Sequence, residues 1–109
     1  MRRTDSTDRR QHRRKRATVP IELRCEGVTS LMRIETSDLS IGGCYVETMF
    51  PQPVASRLRI TLGLGDTRVQ AAAVVVTCTP QFGSGIEFIN MSDSHREALS
   101  RWLEALPEA

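Results

Sequence analysis

The sequence predicts an all-β domain, a small antiparallel sandwich or barrel with one helix laid across an open side. Six short runs alternate apolar and other residues with the period of two that strands show. Turn-forming residues separate these runs at intervals of about eight to twelve residues. After the sixth run the period changes to that of a helix. A chain of 109 residues has room for one such core.

The six predicted strands share an alternating pattern with β-branched or aliphatic residues at every second position. Their bounds are Val19–Cys25, Leu31–Thr36, Cys44–Thr48, Leu58–Leu62, Val69–Thr79 and Gly85–Ile89. The fifth run contains three consecutive alanines, which suit a helix, but its valines and its flanking turns favour a strand. Between the second and third runs, Ser37–Gly43 interrupts the alternation and predicts a bend.

One amphipathic helix is predicted at the C-terminal side of the strands, over roughly residues 93–106. Ser94 and Glu97 have the spacing of a capping box, and Pro107 cannot continue a helix. Four large apolar residues recur at i, i+3, i+4 and i+7. They are Leu99, Trp102, Leu103 and Leu106.

The basic charge is concentrated at the start of the chain. Residues 1–16 hold eight basic and two acidic residues, a net charge of +6, whereas the whole chain carries +2. They show no strand or helix period, so residues 1–18 are predicted to be a flexible basic arm and residues 19–109 the folded domain. Such an arm either binds an anionic partner or lies over the remainder of the chain, which is acidic overall. Lys15 is the single lysine in the chain, so nearly all of the basic residues are arginines. A codon preference of the genome also explains this use of arginine in place of lysine.

Several classes of protein are disfavoured. Three widely spaced cysteines without a Cys-x-x-Cys pair, and only two histidines, predict no metal site and no cofactor. The cysteines Cys25, Cys44 and Cys78 are expected to be buried or half-buried thiols in a reducing, cytoplasmic compartment. No nucleophile elbow or phosphate loop is present, so we expect no enzyme and no catalytic residues. No apolar run is long enough to span a membrane, and no secretory signal is apparent.

Two short motifs carry the functional prediction. The arm contains Arg10-x-x-x-Arg14, overlapped by Arg9 and Arg13, which alone is typical of a solvated basic tail. The second motif is Asp38-x-Ser40-x-x-Gly43. Alone, this motif also describes an ordinary turn in which the aspartate caps the backbone and the glycine adopts a positive φ.

In this order, with Arg14 and Asp38 separated by 24 positions, the two motifs resemble those of the PilZ domain, a bacterial receptor module for cyclic di-GMP (c-di-GMP). The runs Gly42–Val46 and Gly83–Phe88 are also similar to the family's patterns. The resemblance covers nearly the whole chain. It implies a six-stranded antiparallel barrel with a C-terminal helix.

The resemblance also implies roles for five residues. Arg10 and Arg14 pair with the phosphates and guanines of c-di-GMP, since guanidinium groups bind phosphate and the O6/N7 edge of guanine. The Asp38 carboxylate and the Ser40 hydroxyl accept hydrogen bonds from guanine N1–H and N2–H₂. Gly43 lets the backbone approach the ligand without a Cβ.

Arg9 bears on two questions: which pair of arginines forms the first motif, and how many ligands the domain binds. Arg9 and Arg13 fit the first motif as well as Arg10 and Arg14 do, and the sequence leaves both pairs open. With Arg10 and Arg14 as the operative pair, the residue before the motif is Arg9. In the resembling family an arginine there accompanies an intercalated pair of ligands, which implies two c-di-GMP molecules per domain.

The sequence thus predicts a c-di-GMP effector whose arm becomes ordered over the ligand and which then switches its affinity for an unidentified downstream protein. The alternative is a PilZ-like barrel that binds a protein partner and no nucleotide. A nonspecific DNA or RNA binder is disfavoured, because such a barrel needs exposed aromatic rings. The large aromatic residues are expected at core-like positions. They are Tyr45, Phe50, Phe82, Phe88 and Trp102.

Overall fold

A computed structural model of the protein describes residues 15–106. This part of the chain folds into seven strands followed by one helix. The strands are β1 (Lys15–Arg16), β2 (Pro20–Cys25), β3 (Met32–Leu39), β4 (Gly43–Glu47), β5 (Arg57–Leu64), β6 (Thr67–Thr79) and β7 (Gly83–Asn90), and the helix is α1 (Asp93–Glu104).

Six of these strands close into an antiparallel barrel. The order of hydrogen-bonded neighbours is β3-β2-β5-β6-β7-β4, and β4 pairs back with β3 to complete the ring. The two-residue strand β1 lies beside β2 on the same edge of β3. The prediction of a six-stranded antiparallel barrel with a C-terminal helix is confirmed.

The core is built from alternate residues of every strand in the ring, which is why the period of two predicted the strands. Side chains under 2% exposed include Ile21, Leu39, Val46, Leu58, Leu62, Val69, Val75, Ile86 and Leu99. Leu99 brings α1 into this cluster. The helix also contacts the barrel through His95, whose Nδ1 accepts a hydrogen bond from the backbone N–H of Gln70 at 3.2 Å. The helix is therefore fixed against β6.

The strand that was predicted to end at Thr36 continues to Leu39. A register shift between Thr36 and Asp38 in the pairing of β3 with β4 lets the strand pass through the irregular sequence. Ser37 occupies this irregularity, so the alternation breaks without ending the strand. The prediction of a bend from Ser37 onward was wrong by three residues.

The ends of the helix and the arm also differ from expectation. Ser92, and not Ser94, caps α1: its Oγ accepts from the backbone N–H of His95 at 3.2 Å. The helix ends at Glu104, two residues short of the predicted bound. Lys15 and Arg16 form β1, although the sequence indicated no strand in residues 1–16.

Two aromatic residues lie on the surface and not in the core. Phe50 is 76% exposed and Phe82 is 68% exposed, because they belong to the β4–β5 connection and the β6–β7 turn. Tyr45 is half-buried on the outside of β4, whereas Phe88 is buried and Trp102 packs against the core. The expected lack of exposed aromatic rings was therefore wrong, and it gives no argument against single-stranded nucleic acid.

The predicted burial of the cysteines is confirmed: the Cys44 side chain is buried, and those of Cys25 and Cys78 are half-buried. Within residues 15–106, no group of three or more metal-ligating side chains comes together. No helix in the same residues has the length and apolar character needed to cross a membrane.

Candidate functional site

Three residues of neighbouring strands form a row on the outer face of the barrel. Asp38 of β3 is paired with Arg16 of β1 on one side and with Tyr45 of β4 on the other. Asp38 and Tyr45 face outward because the adjacent pair, Leu39 and Cys44, points into the core with no exposure. We refer to Arg16, Asp38 and Tyr45 as the surface row.

The surface row is where the basic arm joins the barrel. Lys15 pairs with Leu39 and Arg16 pairs with Asp38, so the chain that leaves the arm runs directly beside the second motif. Lys15 is held there by its side chain, because Nζ donates to the carbonyl oxygen of Leu103 at 2.8 Å. Local strand pairing therefore brings Lys15 and Arg16, the two residues that follow the first motif in the sequence, beside the second motif.

An open cavity of about 530 Å³ adjoins this row on the side of β1. Arg16 lines it together with two acidic side chains, Glu35 of β3 and Glu47 of β4, and with Ser37. A second open cavity, of about 560 Å³, lies beyond Tyr45 and is lined by Glu47, Met49 and Phe82. Glu47 lines both cavities, Arg16 belongs to the first and Tyr45 to the second, and each is large enough for a small-molecule ligand.

The Ser40 hydroxyl holds the β3–β4 turn together. Its Oγ accepts hydrogen bonds from the backbone N–H groups of Gly42 and Gly43, each at 3.1 Å. The Ser40 N–H in turn donates to the Gly43 carbonyl oxygen at 2.8 Å. The serine is only 3% exposed, so its hydroxyl belongs to the turn and does not lie open on the surface beside Asp38.

Gly43 is needed for a close approach of two strands. Among the described residues, positive φ values in glycine occur at Gly27 and Gly65, so the suggested positive φ at Gly43 was wrong. Gly43 instead begins β4 opposite β7, where a Cβ would collide with the carbonyl oxygen of Ile86 and lie 3.3 Å from the Cα of Glu87. The second motif therefore specifies the backbone of this turn as well as a half-buried carboxylate on the outer face.

Tyr45 is the site residue that sequence reasoning missed. A Cβ placed on Gly83 would lie 2.8 Å from Tyr45 Cε2 and 2.9 Å from its hydroxyl oxygen, so the ring covers that glycine on the outer face. The signal was present in the sequence: Tyr45 alternates with the inward Cys44 and Val46, which places it outside.

The predicted arginines Arg9, Arg10, Arg13 and Arg14 lie outside the described residues. The structure thus places Asp38, Ser40 and Gly43 in and beside one turn, with the Asp38 side chain on its outer face. It adds Arg16 and Tyr45 as the cross-strand neighbours of that aspartate.

Several solved structures share this fold. The inhibitor of motility MotI (DgrA) of Bacillus subtilis superposes with a TM-score of 0.74 at 19% identity, over 91% of this chain and 54% of that protein, so the present chain spans about half its length. The PilZ domain of YcgR from Escherichia coli, solved with c-di-GMP, gives a TM-score of 0.73 at 18% identity and covers 90% and 91% of the two chains.

The PilZ domain of the CeSA protein of a cellulose-synthesizing bacterium gives a TM-score of 0.64 at 22% identity, over 82% of this chain and 92% of that domain. A comparison with curated protein sequences finds no match. The sequence pattern of the PilZ domain itself matches residues 8–105, which takes in both motifs and every described strand. The chain therefore belongs to the PilZ domain family.

Proposed function

We propose that the protein is a bacterial c-di-GMP receptor that binds the dinucleotide between its arginine-rich arm and the surface row. The observation that carries the proposal is the pairing of β1 with β3, which puts the end of the arm beside Asp38. Membership of the PilZ family supports it, as does the shared fold with the PilZ domain of YcgR, whose structure contains c-di-GMP.

Four side chains of the proposed site have a partner on the ligand. The Asp38 carboxylate accepts hydrogen bonds from N1–H and N2–H₂ of a guanine, and the Tyr45 ring lies next to it as an apolar surface for the base. Arg10 and Arg14 pair with phosphate oxygens and with the O6/N7 edge of guanine. Ser40 acts by holding the turn and not by direct contact, since its hydroxyl already serves two backbone N–H groups.

Binding of c-di-GMP also changes the surface that a downstream protein recognises. The proposed ordering concerns the predicted flexible arm and not β1, which already pairs with β3. Fixing the backbone of each residue costs about 1–2 kcal/mol, which the phosphate and guanine contacts offset. A downstream protein that prefers the ordered arm is then bound more tightly when c-di-GMP is present. The proposal describes a receptor and not an enzyme.

The test is isothermal titration of the full chain with c-di-GMP, beside GMP and c-di-AMP. Asp38→Asn removes the negative charge and replaces one of the two acceptor oxygens with an NH₂ donor, which cannot pair with the guanine donors. Arg14→Ala removes an arm guanidinium. Arg101→Ala is the control, because Arg101 is an exposed arginine on α1 that pairs with Glu97. We expect selective c-di-GMP binding that both site variants lose and the control keeps. Equal binding of GMP, or full affinity in Asp38→Asn, would contradict the proposal.

A second candidate function is a barrel that binds a protein partner without nucleotide. Its support is an apolar patch in which Met49 and Phe82 line one cavity and Phe50 follows Met49 in the chain, all three being 65–76% exposed. The backbone N–H of Thr48 donates to the Phe82 carbonyl at 2.9 Å and so joins the two loops that carry the patch. Exposed patches of this kind often mark protein interfaces. Absence of c-di-GMP binding by the folded protein would favour this function.

A further inference from the structure

An arginine-lined cavity lies on the outer face of β2, β5 and β6, and we call it the arginine cleft. Its volume is about 330 Å³, and three guanidinium groups line it, those of Arg24, Arg59 and Arg68. In the ring of six strands, β5 and β6 stand opposite β4 and β3. The cleft is therefore on the other side of the barrel from the surface row and is not part of that site.

The arrangement of the arginines is electrostatically unfavourable without an anion. Arg24 of β2 and Arg59 of β5 are direct cross-strand partners, and both side chains are exposed on the same face. Like charges directly opposite each other destabilise a strand pair. No hydrogen bond or ion pair of the described residues neutralises Arg24, Arg59 or Arg68.

The one acidic residue that lines the cleft is already paired. Glu22 Oε2 accepts a hydrogen bond from Arg33 Nε at 3.1 Å, and these two residues are cross-strand partners on β2 and β3. The Glu22 side chain is 29% exposed, whereas that of Arg33 is 75% exposed. Arg33 thus largely neutralises the charge of Glu22, and the cleft keeps an excess of positive charge.

The remaining polar groups of the cleft can also donate hydrogen bonds. Thr61 offers a hydroxyl and Gln70 a side-chain amide, in addition to the three guanidinium groups. A phosphate dianion matches this set, because it has three terminal oxygens and a charge that offsets the excess. A carboxylate has two oxygens and a single charge, and fits it less well.

We propose that the arginine cleft binds the phosphate group of a small molecule, separately from the surface row. The proposal does not depend on c-di-GMP binding, since the two places lie on opposite sides of the barrel. It assigns a function to the Arg24–Arg59 pair, which otherwise only weakens the sheet. Such a ligand would also stabilise the pairing of β2 with β5 by neutralising both arginines.

The test is an NMR titration of the ¹⁵N-labelled full chain with pyrophosphate, at ionic strength held constant with sodium chloride. We expect saturable shifts confined to backbone amides in and beside the cleft, among them those of Arg24, Arg59 and Gln70. Arg59→Gln should weaken the binding about tenfold, the loss expected for a charge-assisted contact. Arg57→Gln is the matched control, because Arg57 is on the same strand and face but does not line the cleft.

Three results would overturn the proposal. Shifts that grow linearly and spread over all arginines would mean nonspecific charge screening. Equal weakening by Arg59→Gln and Arg57→Gln would mean that the cleft has no particular role. Glutarate binding as tightly as pyrophosphate would identify a carboxylate site instead. Calorimetry of Arg59→Gln with c-di-GMP separates the two sites: unchanged affinity is expected, and a loss would contradict their independence.

Discussion

The ammonium of Lys15 donates a hydrogen bond to the carbonyl oxygen of Leu103 at 2.8 Å and lies 3.5 Å from that of Leu106. Leu103 is in the last turn of α1, where its carbonyl oxygen also accepts from the Leu106 N–H at 3.1 Å and where the helix dipole favours a positive charge, and Leu106 lies two residues beyond the helix. The residue that follows the predicted arginine motif therefore fastens β1 to the helix. The ligand contacts proposed for the arm would therefore be made next to a segment that is held to the end of the helix.

Replacing Lys15 with Met should loosen the end of the helix. The loss of one partly buried, charge-assisted hydrogen bond is expected to lower the free energy of unfolding by about 1–2 kcal/mol. Thermal unfolding measures the loss, and faster amide hydrogen exchange in the last turn of α1 locates it. Arg101→Gln, in the same turn, removes only an exposed pair with Glu97 and should change stability by less than about 0.5 kcal/mol. Equal effects of both variants would contradict the assignment.

Gly43→Ala should destabilise the barrel by about 1–3 kcal/mol, because the new Cβ collides with the Ile86 carbonyl and forces β4 away from β7. Gly63→Ala is the control. Gly63 is also a strand glycine, but a Cβ there meets Pro20 at 3.7 Å, an ordinary contact. Denaturant unfolding of both variants checks this, and equal midpoints would show that β4 and β7 can separate without cost.

Substitutions of Ser40 and Asp38 should affect different properties, the first the stability of the barrel and the second its affinity for c-di-GMP. Ser40→Ala leaves the N–H groups of Gly42 and Gly43 without their hydroxyl acceptor, so the expected loss of stability is about 1–3 kcal/mol. Asp38→Asn should instead weaken c-di-GMP binding at least about tenfold, because an amide replaces the charged acceptor. Thermal unfolding and calorimetry on both proteins test the division. Strong binding loss in Ser40→Ala under conditions where it is fully folded would show that the hydroxyl contacts the ligand.

The number of ligands per chain tests the role proposed for Arg9. We expect two c-di-GMP molecules per domain in the unmodified protein and one in Arg9→Ala, measured by calorimetric titration with the protein concentration fixed by absorbance. Arg13→Ala serves as the comparison, because it removes the same charge from the arm. A single ligand in the unmodified protein would exclude the intercalated pair.

Arg59→Gln should make the barrel more stable at low ionic strength. Removing the like charge opposite Arg24 is expected to raise the free energy of unfolding by about 0.2–1 kcal/mol. The gain should disappear near 1 M salt, where the screening length falls to about 3 Å. Melting temperatures at the two salt concentrations give the comparison, and a salt-independent change would have a cause other than charge repulsion.

The fold was largely predictable because a barrel wall repeats one simple rule, inward and outward residues in alternation, over most of the chain. The rule failed where pairing between distant strands decides the structure. The pairing of β3 with β4 shifts register at Ser37 and so accommodates the irregular sequence, and β1 forms by pairing with β3. Neither pairing can be seen in a local sequence pattern. Ser92 and Ser94 both carry a hydroxyl that can cap a helix. Because the helix begins at Asp93, the cap is Ser92.

The candidate site was predictable as a pair of motifs but not as an arrangement. Asp38 and Ser40 were both predicted to contact guanine, and those contacts stay predictions; what the motif did not indicate is that the Ser40 hydroxyl accepts two backbone hydrogen bonds within the turn. Tyr45 was assigned to the core because aromatic residues usually lie there, and the glycine beneath its ring comes from β7, far along the chain. Side-chain partners separated by dozens of residues require the closed ring before they can be identified.

The closed ring also limits how any partner can recognise this barrel. Each strand of the six-stranded ring has a neighbour on both sides, and among the described strands a single neighbour is found only for the two-residue β1, so the ring leaves little open edge to which another polypeptide could add a strand. Recognition must then depend on side chains that project from the wall and on the loops at its ends. The same closure hinders intermolecular strand pairing between copies, which is a common route to aggregation of β proteins.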